Sequence, residues 1–393
     1  VFPQLSSVDQ QVLITTHLSG NLSKIFAPYF YFNVGDVVRL RSSIKVAGLP
    51  KKEKTFFDIN LSECSTQSLL LQDLLSDILS RPVILPKQLD NLGKIMYKGD
   101  ISGSFSNVVL NGILSTQVGE LALDANCLMN DDFSKLNFNS YVETEGVDLG
   151  KLLNKENVFG KIALNLNLTG VYDKSKKGAD ATLDGAISSF GLNGYEYNDI
   201  VINGEVSPSS FTGKMAMKDE NAILDFDGKI IWDSGFPKGD FHLSVDDFSP
   251  YRLNLTKENK DLWLGFDLYF DYLDDKSITR SAEFRLDNLV VKNNDKVFST
   301  YPIVFSSAVR DSIILLKLDS HLAQAELEGR FSLSTLPNSF KALRDHYFPL
   351  LKSEQQPEYK ADNHIFFSLK NIHIDKLAEV LNQRIFIDST SYL

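Results

Sequence analysis

The stretch KIALNLNLTGVY, from Lys161 to Tyr172, alternates apolar and polar side chains along most of its length. Its apolar side chains recur at every second residue, which is the period of a β-strand with one buried face. The same alternation returns after short polar turns in Asp180–Ser188, Tyr197–Val206, Ala222–Trp232 and Asp240–Phe248. Connections this short cannot make parallel crossovers, so we expect an antiparallel sheet.

The clearest alternation is DLWLGFDLYFDYL, from Asp261 to Leu273. One face is formed by Leu262, Leu264, Phe266, Leu268, Phe270 and Tyr272, and the other contains Asp261, Trp263, Gly265, Asp267, Tyr269 and Asp271. Roughly twenty to twenty-five strands would use up a chain of this length. Their irregular lengths argue against an outer-membrane barrel, and the short connections argue against a Greek-key sandwich. The sequence therefore predicts an all-β fold: an elongated, curled antiparallel sheet, or repeating β-groove, with an apolar inner face and a few short inserted helices.

Four stretches have apolar residues at helical spacing instead. The strongest helix is predicted for Thr66–Arg81, with Ser65 or Thr66 as its N-cap and Pro82 just beyond its end. Shorter helices are predicted for the remaining three stretches, Gly146–Asn154, Ser339–Leu351 and Ile374–Gln383. Such isolated helices can cover the edge or end of a long sheet, where backbone groups would otherwise lack partners.

Composition limits the partners of the chain. Its 393 residues carry a formal net charge of -11, which argues against a nucleic-acid partner because phosphate neutralisation needs clustered cations. The two basic runs, Lys51–Lys54 and Lys174–Lys177, read as solvated turns. No run of apolar residues is long enough to span a bilayer, and no signal peptide opens the chain. We expect an interior fragment whose targeting and anchoring segments lie outside it.

No motif of catalysis or of metal binding is present in the sequence. The carboxylate pairs Asp131–Asp132, Asp246–Asp247 and Asp274–Asp275 are sequence neighbours, and neighbours on a strand point to opposite faces. The six histidines show no metal-ligand spacing. Cys64 and Cys127 are too few for a disulfide scaffold, and whether they pair is left open. We expect no enzyme, no cofactor and no metal site.

Several phrases of the sequence resemble a known family. One begins with VDLGKLLN, Val147–Asn154, and is followed by LTG at Leu168–Gly170. A second consists of Asn193, Gly194, Tyr195, Tyr197, Asp199, Ile200, Ile202 and Gly204. A third consists of Phe211, Gly213, Lys218, Asp219, Asn221, Leu224, Phe226 and Gly228. Together with the glycine-spaced segment Leu85–Asp124, they resemble the TamB members of the AsmA-like superfamily, especially those of Bacteroidota. The resemblance extends from about Leu85 to about Pro349 and contains no catalytic residue.

The resemblance implies an elongated β-groove, called a β-taco, that is lined with apolar side chains. Members of the family are anchored in the inner membrane of Gram-negative bacteria, cross the periplasm and partner an outer-membrane barrel of the Omp85 type. They are linked to phospholipid transport and to assembly of outer-membrane proteins. We therefore expect three segments: residues 1–145 as a first groove segment with an inserted helix near 66–81, residues 146–335 as the central segment that resembles the family, and residues 336–393 as a truncated further segment.

The apolar inner face is the candidate site. Its expected lining is Ile162, Leu164, Leu166, Leu168, Leu224, Phe226, Phe241, Leu243, Leu264, Phe266, Leu268, Phe270, Ala325, Leu327 and Phe331. Such a face could carry phospholipid or another acyl-chain ligand between the two membranes, since each buried methylene contributes about 0.8 kcal/mol.

Two other uses stay open. A free sheet edge could accept strands of outer-membrane barrel precursors by β-augmentation. In a surface glycan-binding or adhesin module, Trp232, Trp263, Tyr195 and Tyr197 would stack on sugars. The same aromatic residues are also expected simply to pack across strands. The ordinary alternative for the lining residues is a closed core.

Overall fold

A computed structural model describes residues 11–21, 23–67, 72, 76, 87–130, 134–176, 178–232, 238–275, 279–331, 341 and 363–383. These residues form almost entirely antiparallel β-sheet with two short helices, so the predicted all-β class is confirmed. The chain divides into two compact units, residues 1–219 and 220–393. The expected segment boundary at 145 falls inside a strand, Lys135–Asp148, and the boundary at 335 falls inside the second unit.

Unit 1 is a meander in which each described strand pairs with its neighbours in sequence. Its strands are β1 Val12–Asn21, β2 Lys24–Val34, β3 Val38–Ala47, β4 Phe56–Gln67, β5 Lys94–Gly103, β6 Asn107–Thr116, β7 Gly119–Met129, β8 Lys135–Asp148, β9 Phe159–Asp173, β10 Gly178–Leu192, β11 Tyr195–Ser207 and β12 Ser210–Asp219. Helix α1, Leu149–Leu153, follows β8. Two 3-10 turns lie at Lys52–Lys54 and Lys87–Leu92.

Unit 2 continues the same pattern with shorter strands towards its end. Its strands are β13 Ala222–Ile231, β14 Lys238–Phe248, β15 Leu262–Asp275, β16 Thr279–Asn293, β17 Lys296–Ser299, β18 Ile303–Arg310, β19 Ile313–Asp319, β20 Gln324–Arg330 and β21 His364–Lys370. The long strand β16 pairs with both β17 and β18 along different parts of its length. Helix α2, Asp375–Val380, follows β21.

The predicted start of the first helix is wrong. Ser65 and Thr66 are not an N-cap but strand residues of β4, which pair with Met96 and Ile95 of β5. Gln72 and Ser76 are helical, and the rest of the predicted segment lies outside the described residues. The alternating pattern of β4 continues up to the start of the helical pattern. Ser65 and Thr66 are therefore the last part of the strand instead of a helix cap.

The other predicted helices have mixed outcomes. The helix predicted at Gly146–Asn154 is present as α1 and begins later, because β8 extends to Asp148. The Asp148 carboxylate then accepts the Lys151 backbone N–H at 3.0 Å, as an N-cap does. The helix predicted at Ile374–Gln383 is present as α2. The segment Ser339–Leu351 lies outside the described residues except for Lys341, which is helical.

Candidate functional site: the uncharged faces

One face of the sheet in unit 1 carries no charged residue along three complete rows. Paired residues on antiparallel neighbours share a face, so the strand register defines each row from β2 to β12. The first row is Ala27, Ile44, Ile59, Ile101, Leu110, Ala125, Ser140, Leu168, Leu183, Gly204 and Gly213. The second is Ile25, Val46, Phe57, Gly103, Val108, Cys127, Phe138, Gly170, Ala181, Val206 and Phe211. The third is Phe30, Ser42, Leu61, Gly99, Gly112, Leu123, Val142, Leu166, Gly185, Ile202 and Met215. We call these three rows the uncharged face of unit 1.

The side chains of this face are only partly covered. Among its apolar members only Ala27, Leu61 and Ala125 are buried, whereas the larger side chains of the central strands, such as Leu166 and Leu168, are half-buried. A closed two-layer core would bury such leucines almost completely. The described residues therefore leave the face without a full second layer.

The opposite face of the same strands carries the charged residues, some of which pair with polar neighbours across strands, together with exposed apolar residues such as Val109, Ile113 and Val201. Asn60 donates to the Asp100 carboxylate at 2.7 Å, and Asn203 donates to Asp184 at 2.8 Å. These residues alternate along each strand with members of the uncharged face. The two-residue period therefore keeps the charged side chains on the opposite side of the sheet.

Paired glycines allow close approach of strands on the uncharged face. Gly204 of β11 lies opposite Gly213 of β12, and a Cβ added to Gly213 would lie 2.4 Å from the Gly204 Cα. Gly99 and Gly112 form a similar pair between β5 and β6. Any larger residue at these positions would have to push the neighbouring strand away.

Unit 2 has an uncharged face of its own that is built around a chain of phenylalanine rings. Phe226, Phe241, Phe270, Phe284 and Phe305 come from five successive paired strands, with β17 off to one side. Successive ring centroids are 5.5, 5.2, 4.4 and 6.3 Å apart, within the range of stabilising aromatic pairs. Phe226 and Phe270 are buried and the other three are half-buried. Two large side chains of this face are therefore almost fully covered.

Helix α2 covers one end of the unit 2 sheet. Val380 is buried with Leu262, Val291, Phe298 and Leu322 in one apolar cluster. The Asn293 side chain donates to the Val380 carbonyl at 2.7 Å, and Lys296 donates to the Glu379 carbonyl at 3.0 Å. The first bond satisfies a carbonyl group at the helix end, and the second adds to the backbone bond that the Glu379 carbonyl accepts from Asn382. Here the predicted role of a helix as cover for a sheet end is observed.

The structure places the expected lining residues in two sets. Ile162, Leu164, Leu166 and Leu168 alternate along β9 on one face of unit 1. Ten others lie on strands of unit 2, and register places them on one face: Leu224, Phe226, Phe241, Leu243, Leu264, Phe266, Leu268, Phe270, Ala325 and Leu327. Phe331 follows the end of β20. Sequence analysis missed most of the unit 1 face, because β2 to β8 combine shorter apolar side chains with glycine and serine.

Both cysteines belong to this apolar environment. Cys127 lies in the second row, and Cys64 pairs with Leu40 and Tyr97 beside the rows. Both are free thiols, and burial raises the pKa of each. A thiol with a raised pKa is a poor nucleophile at neutral pH, so these residues act here as small apolar side chains.

A second candidate site is a cleft in unit 2 lined mainly by charged and polar residues. Its volume is ≈ 680 Å³, and it is lined by Asp227, Gly228, Asp240, Phe241, His242, Tyr269, Phe270, Asp271, Glu283, Arg285 and Asp287. His242 stacks on Tyr269 with ring centroids 4.3 Å apart, and its Nε2 lies 3.2 Å from the Asp267 carboxylate. The Asn288 side chain, which donates to Asp267 at 2.7 Å, is the main cause of a lowered pKa at that carboxyl. Arg285 is committed to Asp287 at 2.8 Å. His242 and Asn288 are thus both engaged with Asp267, and Arg285 is engaged with Asp287.

The aromatic residues considered for sugar stacking are largely engaged within the protein. The rings of Tyr195 and Tyr197 contact each other at 4.8 Å, and the Tyr195 hydroxyl donates to the Asp219 carboxylate. The contact runs along one strand and not across strands as expected. The Arg252 guanidinium lies 5.2 Å from the Trp263 ring centroid. Trp232 is exposed and has a contact of its own.

Asp219 connects two of the sequence phrases quoted above, the one that contains Tyr195 and the one that contains Asp219 itself. Its carboxylate is buried at the end of β12 and accepts from the Tyr195 hydroxyl and from the Asn198 backbone N–H at 3.1 Å. We call Tyr195, Asn198 and Asp219 the Asp219 clasp. The phrases that carry Tyr195 and Asp219 therefore meet in space and hold β11 to β12 inside unit 1.

Two of the three carboxylate pairs considered in the sequence lie towards the ends of strands. Asp246 and Asp247 are exposed at the end of β14, and Asp274 and Asp275 end β15. Asp131, Asp132 and His346 lie outside the described residues. Sequence analysis did not predict that His321 and His373 are neighbours. Their ring centroids are 5.9 Å apart. Within the described part of the chain, no group of three potential metal ligands comes together.

Comparisons of the chain with protein-family models, curated proteins and solved structures give no match. None of the helices in the described ranges has the length and apolar character needed to cross a membrane. The resemblance to the TamB family thus stays a prediction that rests on the quoted phrases.

Proposed function

We propose that this protein is a non-catalytic carrier of acyl chains and that the uncharged face of unit 1 holds them. The observation that carries the proposal is the set of three rows, each crossing eleven paired strands without a charged residue and left half-exposed by the described chain. Half-exposed apolar surface of this extent is unusual for a soluble surface and marks an interaction site.

Acyl chains fit this face better than a defined small ligand does. A small-molecule site needs a few precisely placed polar groups, and the polar members of the rows are only Ser42 and Ser140 among glycine and apolar residues. An acyl chain needs only continuous apolar contact, at about 0.8 kcal/mol for each buried methylene. Continuity along neighbouring strands would let a chain move without returning its methylenes to water.

The cellular setting is proposed from the resemblance. A TamB-like protein would work in the periplasm of a Gram-negative bacterium, anchored in the inner membrane outside this part of the chain. It would carry phospholipid towards the outer membrane with an Omp85-type barrel as partner. The half-exposed apolar face supports a lipid ligand, whereas the compartment and the barrel rest on the sequence phrases alone.

The test uses two adjacent residues on opposite faces of β9. Leu168 lies in the first row, and Thr169 points to the polar side, where its partners Asn139 and Thr182 are uncharged. The parent, Leu168→Asp and Thr169→Asp proteins would be purified from a Gram-negative host, and organic extracts would be analysed by mass spectrometry. We expect phospholipid in near-stoichiometric amounts with the parent and with Thr169→Asp, and severalfold less with Leu168→Asp. Equal lipid content in both variants, or none in a folded parent, would contradict the proposal.

A second candidate function is supported by strand β1. The described residues give it a register with β2 alone, and its ten residues VLITTHLSGN contain no Lys, Arg, Asp, Glu or Pro. Nine of the ten are exposed, including Leu18 at 63%. Natural sheet edges are usually protected by charge or proline, so an unprotected edge is suited to accept another strand. This supports the assembly-factor alternative for barrel precursors.

Hydrogen exchange tests this second function. Addition of an unfolded transmembrane β-strand peptide should slow amide exchange in Val12–Asn21 if the edge accepts it, because new ladder bonds protect the amides. A scrambled peptide of the same composition is the control. Unchanged exchange in β1 at saturating peptide would exclude strand acceptance at this edge.

A further inference from the structure

The topology of unit 1 gathers the two lysine runs at one end of the sheet. Because all neighbouring strands are antiparallel, the turns after odd-numbered strands lie together at that end. Lys51 and Lys54 lie in the turn between β3 and β4, and Lys174 and Lys176 lie in the turn between β9 and β10. Lys135, the first residue of β8, lies at the same end.

These five lysines are exposed, and three of them have no ion-pair partner among the described residues. Lys135 and Lys176 pair with Asp173 and Asp180. Lys51, Lys54 and Lys174 make no ion pair with another residue in the described ranges. Glu53 is an exposed carboxylate within the first run. In a chain of net charge -11, a cationic strip is not a consequence of composition.

Large apolar side chains are exposed between the lysines. Phe105 forms the tip of the turn between β5 and β6 and is 45% exposed. Phe56, Leu128 and Tyr172 lie at the same strand ends with exposures of 52%, 50% and 40%. Exposed aromatic residues beside lysines are typical of surfaces that lie in the headgroup region of a bilayer. We call these four residues with the five lysines the lysine rim.

The lysine rim is continuous with the uncharged face. Phe105 packs edge-on against Phe57 with ring centroids 6.1 Å apart, and Phe57 belongs to the second row. At the other end of unit 1, lysines such as Lys155 alternate with exposed carboxylates of Asp36, Glu156 and Glu196. Among the described residues, the end with the lysine rim therefore combines cationic charge with an apolar path onto the face.

We propose that the lysine rim docks unit 1 on an anionic lipid bilayer, with Phe105 entering the headgroup region and the lysines facing lipid phosphates. The docking surface is distinct from the acyl-chain face and goes beyond the proposed carrier function. It would place the end of the uncharged face at the surface from which a lipid enters or leaves.

The test is vesicle flotation with matched charge variants. The rim variant carries Lys51→Glu, Lys54→Glu and Lys174→Glu, and the control variant carries Lys94→Glu, Lys155→Glu and Lys161→Glu at the other end, so both have the same net charge. Vesicles would be phosphatidylcholine alone or with about 30% phosphatidylglycerol, at about 0.05 M and about 0.5 M salt. Circular dichroism would verify folding. Triple Lys→Gln and Phe105→Ser proteins would separate loss of charge from charge reversal and from loss of the apolar anchor.

We expect the parent to bind only the anionic vesicles, and more weakly at high salt. Since one lysine near an anionic surface contributes about fivefold, the rim variant should lose at least tenfold in partition and the control variant much less. Equal loss in both variants, equal binding to neutral vesicles, or no binding by the parent would overturn the proposal. Preference for a DNA duplex over vesicles would do so as well. A Leu168→Asp protein that binds vesicles but holds no lipid would separate this docking from the carrier function.

Discussion

At the scale of single residues, the Asp219 clasp is the most specific interaction in unit 1. One carboxylate accepts hydrogen bonds from the Tyr195 hydroxyl and from the Asn198 backbone, and it is buried. Tyr197, two residues further along β11, shows no hydrogen bond through its hydroxyl in the described structure, so it provides a matched comparison. The pKa of Tyr197 is raised by burial and by the nearby Asp219 charge.

We expect Tyr195→Phe to lower the free energy of unfolding of unit 1 by about 1 to 3 kcal/mol, because it removes a bond to a buried carboxylate. Tyr197→Phe should change it by less than about 0.5 kcal/mol. The measurement is the urea midpoint of each protein at unchanged slope. Equal midpoints for the two variants would show that the clasp contributes nothing.

The phenylalanine chain gives a second prediction at this scale. Phe270 is 2% exposed and contacts the rings of Phe241 and Phe284 on either side. Phe270→Ala should destabilise unit 2 by about 3 to 5 kcal/mol. Tyr269→Ala, next to it on the polar face and 43% exposed, should cost clearly less. Thermal unfolding by calorimetry measures both, and similar losses would contradict the assignment of the two faces.

The lowered pKa of Asp267 predicts the direction in which the stability of unit 2 changes at acid pH. Its pKa is lowered chiefly by the hydrogen bond from Asn288, with further bonds from Ser244 and His242. A depressed folded-state pKa contributes stability that is complete above the unfolded pKa of about 3.9 and is lost as pH falls through the folded value. We expect stability to fall below about pH 4. Asn288→Gly suits the positive φ of 54° and should flatten that acid limb of the stability curve. An unchanged acid limb would contradict the assignment.

At the scale of elements, the positions of strands in the sequence were predictable. The contacts between residues of different strands were not. The period of two located β9, β10, β11 and β13 to within a few residues because each strand has one apolar and one polar face. The start of the first helix was misplaced because Ser65 and Thr66 suit both an N-cap and the end of β4. The clasp and the lysine rim could not be predicted, since each joins residues that only the strand register brings together.

Helix α2 is expected to stabilise unit 2 through its buried side. Val380→Asp places a charge in the cluster with Leu262 and Phe298 and should destabilise β15 to β17 strongly. Lys376→Asp, on the exposed side of the helix, should have little effect. Native-state hydrogen exchange in β15 to β17 compares them. Protection that is unchanged in Val380→Asp would show that the helix is not part of the cooperative unit.

At the scale of the whole molecule, both units use the same arrangement of strands with one uncharged and one polar face. The sequence alone predicted the all-β class and the shared face of the apolar residues selected in β9 and in β13 to β15, whereas their role as a lining stays a prediction. It did not predict that the rows extend through β2 to β8, where glycine and serine weaken the apolar pattern. The extent of the uncharged face depends on register, and register is set by turns and by pairing.

The most direct test of the central claim is whether an acyl chain contacts the uncharged face. In a Cys64→Ser background, a fluorescent probe on Cys127 reports from the second row. A protein with Cys64→Ser, Cys127→Ser and Thr169→Cys reports from the polar side of β9. Phospholipid carrying a spin label on its acyl chain should quench the Cys127 probe strongly and the Thr169→Cys probe weakly. Equal quenching, or no quenching at Cys127 when lipid is bound, would contradict the account.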